Sequence, residues 1–357
     1  MGAVDKPRLS ICIPTYNRLS DLRVGLDYVM PQVESLPPGI VEVVIVNNAS
    51  TDGTAAFIDQ LAAERSYVRS FHNASNLGFD GNAAKCIEHA QGEYAALLSD
   101  DDRYLPGAVE MILRVMDKKE YVLIILNYYG FLGEDVNRPC SIVAPDHDVE
   151  FGRAFDVMNY PSVGHFSGFI YRSALAKRAL DQMLATDPRL PVDHSSKPGE
   201  DRARRGIYFE LAIRMAASSD LPSYFIGARK LATKMEADHC AVPMGALKIR
   251  EICLDYYHLV FRLYKEGLLS DADLEYRKDL VLSWLPRVLV RNAGFASRSE
   301  MIGISDELSA YFHGDKRFSR RVMPLLWLAR YRAGRFLFGL VCRLRGFAVR
   351  IMRSVRR

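Results

Sequence analysis

Three consecutive carboxylates, Asp100, Asp101 and Asp102, follow a short apolar run over residues 94–98. Adjacent like charges repel each other, so they persist where water, a cation or a basic partner neutralises them. Carboxylate oxygens suit a hard divalent cation such as Mg²⁺ or Mn²⁺, which often also bridges to phosphate groups. The run therefore predicts a buried strand that ends in a metal- and phosphate-binding site. The alternative is a solvated acidic turn before the helix that Pro106 begins.

Strands and helices alternate along the first hundred residues. Nearly continuous β-branched runs, such as residues 41–46, are typical of strands that are covered on both faces. The alternation predicts βαβ units and an α/β fold with a mostly parallel sheet. The predicted strands cover residues 9–13, 41–46, 68–71 and 94–98, and the predicted helices end near Met30, Ala63 and Ala90, the first of them capped by Ser20 or Asp21.

Polar loops follow the first, second and fourth predicted strands. In open α/β sheets, ligands bind at the carboxyl ends of the strands, so we expect the loops over residues 14–18 and 47–54 to lie beside the carboxylates. No G-x-G-x-x-G follows the first strand, and no G-x-x-x-x-G-K-[ST] occurs in the sequence. These absences exclude an ordinary dinucleotide or P-loop site.

The composition is that of a globular protein, with 49% hydrophobic and 25% charged residues among 357. A net charge of +4 is mild, and we expect no nucleic-acid partner. The six cysteines are scattered without a C-x-x-C pair, which is typical of reduced thiols and not of a zinc site or a disulfide framework. Residues 1–7 lack an apolar signal region, and no run reaches the length of a membrane span. We therefore expect a cytoplasmic protein.

Four motifs together resemble family 2 glycosyltransferases. They are I-P-T-Y-N-R over residues 13–18, V-N-N-A-S-T-D-G-T over residues 46–54, N-x-G-x₃-N from Asn76 to Asn82, and G-E-Y from Gly92 followed by the aspartate triplet. The resemblance covers about residues 8–230 and is strongest up to Leu113. It implies an inverting enzyme with the type A glycosyltransferase fold, a nucleotide-diphospho-sugar donor, and Mg²⁺ or Mn²⁺ as cofactor.

The resemblance also assigns roles by position. Asp100 would meet the ribose, Asp101 would be the main metal ligand, and Asp102 would be a further ligand or a supporting carboxylate. Ser99 stands where many members have the first aspartate of a D-x-D motif. Asn48 stands where the family usually has a base-contacting aspartate, which leaves uracil, guanine, cytosine and thymine open. The remaining predicted substrate-binding residues are Pro14, Thr15 and Tyr16 in the base pocket, with Asn17, Arg18, Asp80, Lys85 and His165.

A catalytic base is predicted before the helix over residues 207–215. The family places an aspartate here, often written E-D and followed by an apolar-Arg pattern. Glu200-Asp201 matches the dipeptide but lies about two helical turns further from Arg214 than usual. Asp201 is the preferred base, and Glu210 and Glu200 are the alternatives. In the implied single displacement, this carboxylate removes the proton of the acceptor hydroxyl.

The predicted organisation of the chain has three parts. These are a nucleotide-sugar-binding catalytic domain over residues 1–230, a helical region over residues 231–319, and basic amphipathic helices over residues 320–357. Within the first part, residues 131–159 are predicted to form an inserted loop or hairpin on the acceptor side.

The basic C-terminal segment predicts membrane contact. Residues 316–357 contain no acidic residue, and an apolar stripe with arginines along its edge suits an anionic membrane surface. The alternative is a helix docked on the protein with an arginine-rich outer face. The membrane interpretation implies peripheral attachment at the inner face of the cell membrane and a lipid-linked saccharide acceptor of a surface polysaccharide. The stripe consists of Phe336, Leu340, Leu344, Phe347, Ile351 and Val355.

Two other classes of function compete with this interpretation. A nucleotidyltransferase also joins a doubly wound sheet to metal-binding carboxylates, but it is expected to have a glycine-rich loop with a basic residue where this chain has residues 14–17. A non-catalytic nucleotide-sugar-binding adaptor would explain Asn48, Ser99 and the displaced base candidate. Turnover of a donor separates the adaptor from the transferase.

Overall fold

The computed structural model describes residues 6–142, 144–160, 163–186, 207–235, 249, 254, 256–331 and 333–338. Among these, the residues up to 235 form one compact unit and those from 249 onward form a second. Each unit has its own buried apolar core.

The first half of the N-terminal unit is a parallel α/β sheet. Its strands lie in the order β3-β2-β1-β4, and each neighbouring pair is parallel. All residues of the two central strands β1 and β2 are buried, as expected for strands with both faces covered. The predicted doubly wound, largely parallel sheet is confirmed. Its elements are β1 (Leu9–Thr15), α1 (Leu19–Glu34), β2 (Val41–Asn47), α2 (Thr54–Glu64), β3 (Val68–His72), α3 (Gly78–His89) and β4 (Tyr94–Leu97).

The second half extends this sheet with strands of mixed direction. β9 lies antiparallel between β4 and β6, β10 is parallel to β6, and β5 is antiparallel to β10. The segment predicted as an inserted loop or hairpin supplies β7, which pairs with β6, and β8, which pairs with β10. The elements are β5 (Arg103–Tyr104), α4 (Ala108–Met116), β6 (Leu123–Phe131), β7 (Pro139–Ile142), β8 (Val149–Phe151), β9 (Phe169–Arg172), α5 (Ser173–Thr186), α6 (Ile207–Ala217) and β10 (Ser223–Lys234).

The sheet continues beyond residue 230, after which the helical region was predicted to begin. β10 continues to Lys234, so the boundary predicted at residue 230 falls inside a strand. Leu231 and Ala232 pair with β5 on one side and with β6 on the other. This pairing brings the Lys234 amide to the carboxylate triplet, so the end of β10 belongs to the site.

The predicted cap of α1 is also wrong. The helix begins at Leu19, and the Leu19 amide donates to Asp52 Oδ2 at 3.0 Å, across the loop that follows β2. Asp21 instead forms an ion pair with Lys234 Nζ at 2.7 Å. The N-terminus of α1 is therefore capped by a side chain from a neighbouring loop, and not by a residue of its own first turn.

The second unit is helical, as predicted. Ser270 and Ser297 begin two of its helices through reciprocal capping boxes. None of the described helices is long and apolar enough to cross a membrane. The helices are α7 (Tyr256–Lys265), α8 (Asp271–Asn292), α9 (Arg298–Tyr311) and α10 (Met323–Ala329).

An acidic side chain, Asp315, joins two parts of this helical unit. Burial alone would raise the pKa of Asp315, but hydrogen bonds from Arg317, the Phe318 amide and Lys278 outweigh burial and hold that pKa well below its ordinary value. The ion pair with Lys278 is 3.2 Å long. The ionised form of Asp315 therefore stabilises the folded unit.

Candidate active site

Two glycines allow close backbone contacts, one beside the carboxylate triplet and one at the start of β4, the strand that leads to the triplet. A Cβ at Gly25 of α1 would lie 3.1 Å from the Asp100 carbonyl oxygen, so α1 rests directly on the triplet's backbone. A Cβ at Gly92 would lie 2.6 Å from the Ser10 nitrogen, which is closer than side chains tolerate. The glycine that begins G-E-Y thus lets β4 start against β1, and the triplet lies beyond the carboxyl end of β4.

Asp100 and Asp101 are held by protein donors on every carboxylate oxygen. Thr15 Oγ1 donates to Asp100 Oδ2 at 2.8 Å, and Ser99 Oγ donates to Asp101 Oδ1 at 2.5 Å. The two remaining oxygens share one nitrogen: Arg18 Nη1 lies 3.3 Å from Asp100 Oδ1 and 2.9 Å from Asp101 Oδ2. The three predicted residues Thr15, Arg18 and Asp100 therefore meet, together with the predicted metal ligand Asp101.

The two carboxylates differ in burial. The Asp100 side chain is 5% exposed and the Asp101 side chain 17%. Burial raises the pKa of Asp100 to about 6, the charge of Arg18 acts in the opposite direction, and Asp101 adds to the rise. Asp100 therefore depends on a nearby positive charge to remain ionised.

The pair fits a hard divalent cation. Its oxygens are the ligand type that Mg²⁺ and Mn²⁺ prefer, and such ions are often held by one or two carboxylates together with substrate phosphates and water. The described residues contain no ready-made cluster of three or more His, Cys, Asp or Glu ligands. Asp100 and Asp101 would therefore supply two of the ligands, and a bound donor would complete the coordination of the cation.

Asp102, predicted as a further metal ligand or a supporting carboxylate, is buried. It is 2% exposed, and both of its oxygens accept hydrogen bonds within the protein. Ser167 Oγ donates to Oδ2 at 2.5 Å and the Lys234 amide donates to Oδ1 at 2.9 Å. Burial, with the neighbouring charge of Asp101, raises the pKa of Asp102 well above its ordinary value. These contacts favour the predicted alternative of a supporting carboxylate over that of a metal ligand.

Ser167 links the triplet to the loop before β9, and sequence reasoning gave it no role. Besides donating to Asp102, its hydroxyl accepts from the Ser99 amide at 2.9 Å. His165, two residues earlier, lies 3.7 Å from Asp102 through Nδ1 and packs against the Tyr128 ring. Burial lowers the pKa of His165 to about 4. His165 is therefore a neutral group beside the triplet.

Asn48, predicted as a substrate-binding residue, is engaged within the protein. It is 2% exposed, and all of its amide groups are used. Nδ2 donates to Asn76 Oδ1 at 2.7 Å and to the Gly78 carbonyl at 3.1 Å. Oδ1 accepts from Asn73 Nδ2 and from the Leu77 amide, each at 2.9 Å. Asn48 therefore fastens the loop before α3 to the end of β2.

The same network explains the N-x-G-x₃-N motif. Asn82 is 3% exposed and donates to the Val46 carbonyl at 3.0 Å, while its Oδ1 accepts from Asn73 Nδ2 at 2.9 Å. Gly78 has a φ of +71°, a left-handed conformation that favours glycine. The motif therefore builds the rim of the site at the ends of β1 and β2.

The loop after β1 leaves Tyr16 as the exposed aromatic ring of the predicted base pocket. Tyr16 is 43% exposed, whereas Pro14 is buried in β1. Asn17 joins the neighbouring loop through two hydrogen bonds. Its backbone amide donates to Ser50 Oγ at 2.9 Å, and its side-chain Oδ1 accepts from the Thr51 backbone amide at 2.7 Å. The structure thus presents Tyr16 to solvent on a rigidly connected loop.

The other predicted residues lie further from the carboxylates or have other partners. Lys85 forms an ion pair with Glu88 at 2.6 Å on the outside of α3. Asp80 Oδ1 accepts from the Ile207 amide at 3.1 Å, at the start of α6. Glu210, an alternative base, is 2% exposed and paired with Arg214 at 3.0 Å. That buried ion pair does not suit a base that must reach an acceptor. Glu200 and Asp201 lie outside the described residues.

Comparison with known proteins identifies the class to which this site belongs. The family described as Glycosyl transferase family 2 matches residues 10–178, so this segment is a family 2 domain. The matched range contains both carboxylates, Arg18, Tyr16 and the asparagine network.

Curated relatives are similar over the same region. The chain is 24% identical over 151 residues to glycosyltransferase GlyG of Streptococcus pneumoniae, covering 42% of this chain and 49% of that one. It is 27% identical over 109 residues to the GalNAc(5)-diNAcBac-PP-undecaprenol beta-1,3-glucosyltransferase of Campylobacter jejuni, covering 30% and 34%. It is 30% identical over 112 residues to abequosyltransferase RfbV of Salmonella typhimurium, covering 31% and 33%. The chain thus spans about a third to a half of the length of these relatives.

Among solved structures, TarS of S. aureus has a similar fold. Its residues 1–349 in complex with UDP-GlcNAc align with a TM-score of 0.59 and 16% identity, over 92% of this chain and 88% of that one. A second structure of S. aureus TarS aligns with a TM-score of 0.58 and 15% identity, over 92% of this chain and 53% of that one. The likeness confirms the predicted fold, including a helical region after the sheet.

Proposed function

We propose that this protein is an inverting glycosyltransferase that moves a sugar from a nucleoside-diphospho-sugar to a hydroxyl acceptor. The observation that carries the proposal is the pair of carboxylates at the carboxyl end of β4, with Tyr16 exposed nearby, inside a family 2 domain. The UDP-GlcNAc bound to TarS supports a nucleotide sugar as donor. Tyr16 is the surface on which the base would stack, and Asp100 would meet the ribose.

A divalent cation, Mg²⁺ or Mn²⁺, would be held by Asp101 with Asp100. When bound, it would neutralise charge on the leaving diphosphate. The protein's own contribution is to orient the two carboxylates: Thr15 and Ser99 each fix one oxygen, so the other oxygen of each carboxylate points toward the same place. Asp102, held by Ser167 and the Lys234 amide, keeps the loop in this conformation.

Asp201 remains our candidate for the general base, with Glu200 beside it. The support is its position in the sequence, shortly before α6, whose first amide is held by Asp80. A base in this position would remove the proton of the acceptor hydroxyl while the sugar–phosphate bond breaks. We expect Asp201→Asn to reduce the turnover rate about 10²-fold or more while donor affinity stays near normal.

The acceptor that we propose is a lipid-linked saccharide, reached from an anionic membrane surface at the inner face of the cell membrane. One relative is named for transfer to an undecaprenol-linked saccharide. The helical unit exposes Trp327 (60%), Tyr331 (50%) and Phe336 (63%), and the sequence there is free of acidic residues. Aromatic rings beside basic residues are typical of membrane-interface surfaces.

Vesicle binding tests this attachment. We expect the protein to co-sediment with vesicles that contain anionic lipid, less at higher salt, and Trp327→Ala to bind more weakly. Trp284→Ala is the matched control, since Trp284 is 36% exposed and packs against Tyr256. Equal binding to neutral and anionic vesicles would contradict the proposal.

A donor screen tests the activity itself. The protein is incubated with UDP-, GDP-, CDP- and dTDP-sugars, Mn²⁺ and undecaprenyl-diphosphate-linked saccharides, and released nucleoside diphosphate and extended lipid are measured. We expect one donor to be consumed with inversion at the anomeric carbon. Binding of a nucleotide sugar without any turnover would favour the non-catalytic adaptor.

A further inference from the structure

Arg18 occupies the point where the two site carboxylates converge. A single nitrogen, Nη1, bonds both Asp100 Oδ1 and Asp101 Oδ2. The other oxygen of each carboxylate is taken by a neutral hydroxyl, from Thr15 or Ser99. Arg18 thus contacts the carboxylate oxygens that no hydroxyl occupies, and a cation held by Asp100 and Asp101 would compete with it.

Two like charges cannot stay close in this partly buried site without a counter-charge. The side chain of Arg18 is 42% exposed and comes from the loop after β1, whereas Asp100 and Asp101 are largely buried. The guanidinium is therefore the more exposed side of this ion pair, and we expect it, and not the carboxylates, to change position. A divalent cation and the guanidinium would repel each other if both remained at the carboxylates.

We propose that Arg18 is a displaceable counter-ion: it neutralises the carboxylates in the free protein, and it moves to the donor's diphosphate when a divalent cation takes its place. The proposal rests on the proposed function, because it assigns Arg18 to the same donor site. A guanidinium matches the geometry of phosphate oxygens and forms strong charge-assisted hydrogen bonds with them. Arg18 is then a positioning residue for the cation and a binding residue for the donor.

This exchange couples the two ligands. A cation that binds alone must first break the contacts of Arg18, so Arg18 weakens its binding. A nucleoside diphosphate that binds with the cation gives the released guanidinium a new partner, so each ligand favours the other. By linkage, Mn²⁺ must tighten nucleotide binding by the same factor as the nucleotide tightens Mn²⁺ binding. Removing the guanidinium should reduce that factor.

The test compares the full chain with Arg18→Gln by titration calorimetry, and by electron paramagnetic resonance of free Mn²⁺. The nucleotide probe is the nucleoside diphosphate, among UDP, GDP, CDP and dTDP, that the wild-type protein binds most tightly. We expect Arg18→Gln to bind Mn²⁺ alone roughly 3- to 30-fold more tightly, the scale of removing one positive charge at short range near a solvated surface. We expect it to bind the nucleotide in Mn²⁺ roughly 3- to 10-fold more weakly.

Two control variants keep the result interpretable. Arg114→Gln makes the same change of charge at an exposed pair with Glu110 on α4, and it should leave both affinities unchanged. Arg18→Lys keeps the charge but loses the forked geometry, so its Mn²⁺ affinity should lie between those of the wild type and Arg18→Gln. Melting temperatures confirm that the variants are folded.

Unchanged or weaker binding of Mn²⁺ by Arg18→Gln overturns the proposal, as does failure of that variant to bind Mn²⁺ at all. Weaker nucleotide binding without any change for Mn²⁺ alone also overturns it, since Arg18 would then contact the donor without leaving the carboxylates. Each of these results is compatible with normal sugar transfer by the wild-type protein. Failure of the proposed function would instead appear as absence of donor turnover in the wild-type protein.

Discussion

The Asn48→Asp variant separates two roles that this position can have. Family resemblance predicts a contact with the nucleotide base, and an aspartate there would restore the residue that the family usually has. In the structure, Asn48 Nδ2 instead donates two hydrogen bonds, to Asn76 and to the Gly78 carbonyl. A carboxylate oxygen in place of Nδ2 would face two oxygen acceptors in a site that is 2% exposed.

The expected cost follows from those two lost bonds. Each buried oxygen that loses its donor from Asn48 costs about 1–3 kcal/mol, so the variant should lose about 2–6 kcal/mol of unfolding free energy. For a domain of roughly 150–250 residues, 1 kcal/mol corresponds to about 2–4 °C. We therefore expect the melting temperature of the N-terminal unit to fall by roughly 4–24 °C.

Differential scanning calorimetry of the full chain measures this shift, and Asn137→Asp is the matched control at an exposed loop position. Nucleotide binding is then measured well below the new transition, with UDP, GDP, CDP and dTDP. We expect the preference among the four bases to be unchanged. A variant of normal stability with a new base preference would refute the structural role of Asn48 and restore the base contact.

Two further predictions concern other polar contacts. Ser167→Ala removes the hydroxyl between Asp102 and the Ser99 amide, and we expect it to weaken Mn²⁺-dependent nucleotide binding about 10-fold in calorimetry, while Ser167→Thr recovers most of it. Asp315→Asn should make the helical unit less sensitive to acid, because the folded-state pKa of Asp315 is lowered: its stabilisation is present above the ordinary pKa near 4 and is lost as the pH falls through the folded value. Tryptophan fluorescence during unfolding reports this change, with Asp306→Asn as control, and an unchanged acid limb in Asp315→Asn would contradict it.

The elements that come from continuous apolar runs could be predicted from the sequence. The run over residues 41–46 gave β2 and the run before the triplet gave β4, since strands buried on both faces have few alternatives. The meeting of Asp100, Thr15 and Arg18 was also predictable, because the carboxyl ends of neighbouring parallel strands share one edge.

Contacts made across long stretches of chain could not be predicted in this way. Asp52 caps a helix that begins 33 residues earlier. The Lys234 amide reaches Asp102 from β10, whose place in the sheet is fixed by pairing with β5, β6 and β8. Asn48 satisfies donors and acceptors in a loop that follows the next strand. The sequence could identify polar residues at the edge of the sheet, but not which of them would hydrogen-bond to one another and so be unavailable to a ligand.

The central claim is that Asp101 and Asp100 bind a divalent cation with which a nucleotide-sugar donor is used. The most direct measurement is consumption of the preferred donor by the wild-type protein and by Asp101→Asn, with Mn²⁺ and with EDTA. We predict that Asp101→Asn and EDTA each reduce turnover at least 10²-fold, while the variant keeps the wild-type melting temperature within a few degrees. Full turnover in EDTA, or by Asp101→Asn, would contradict the claim.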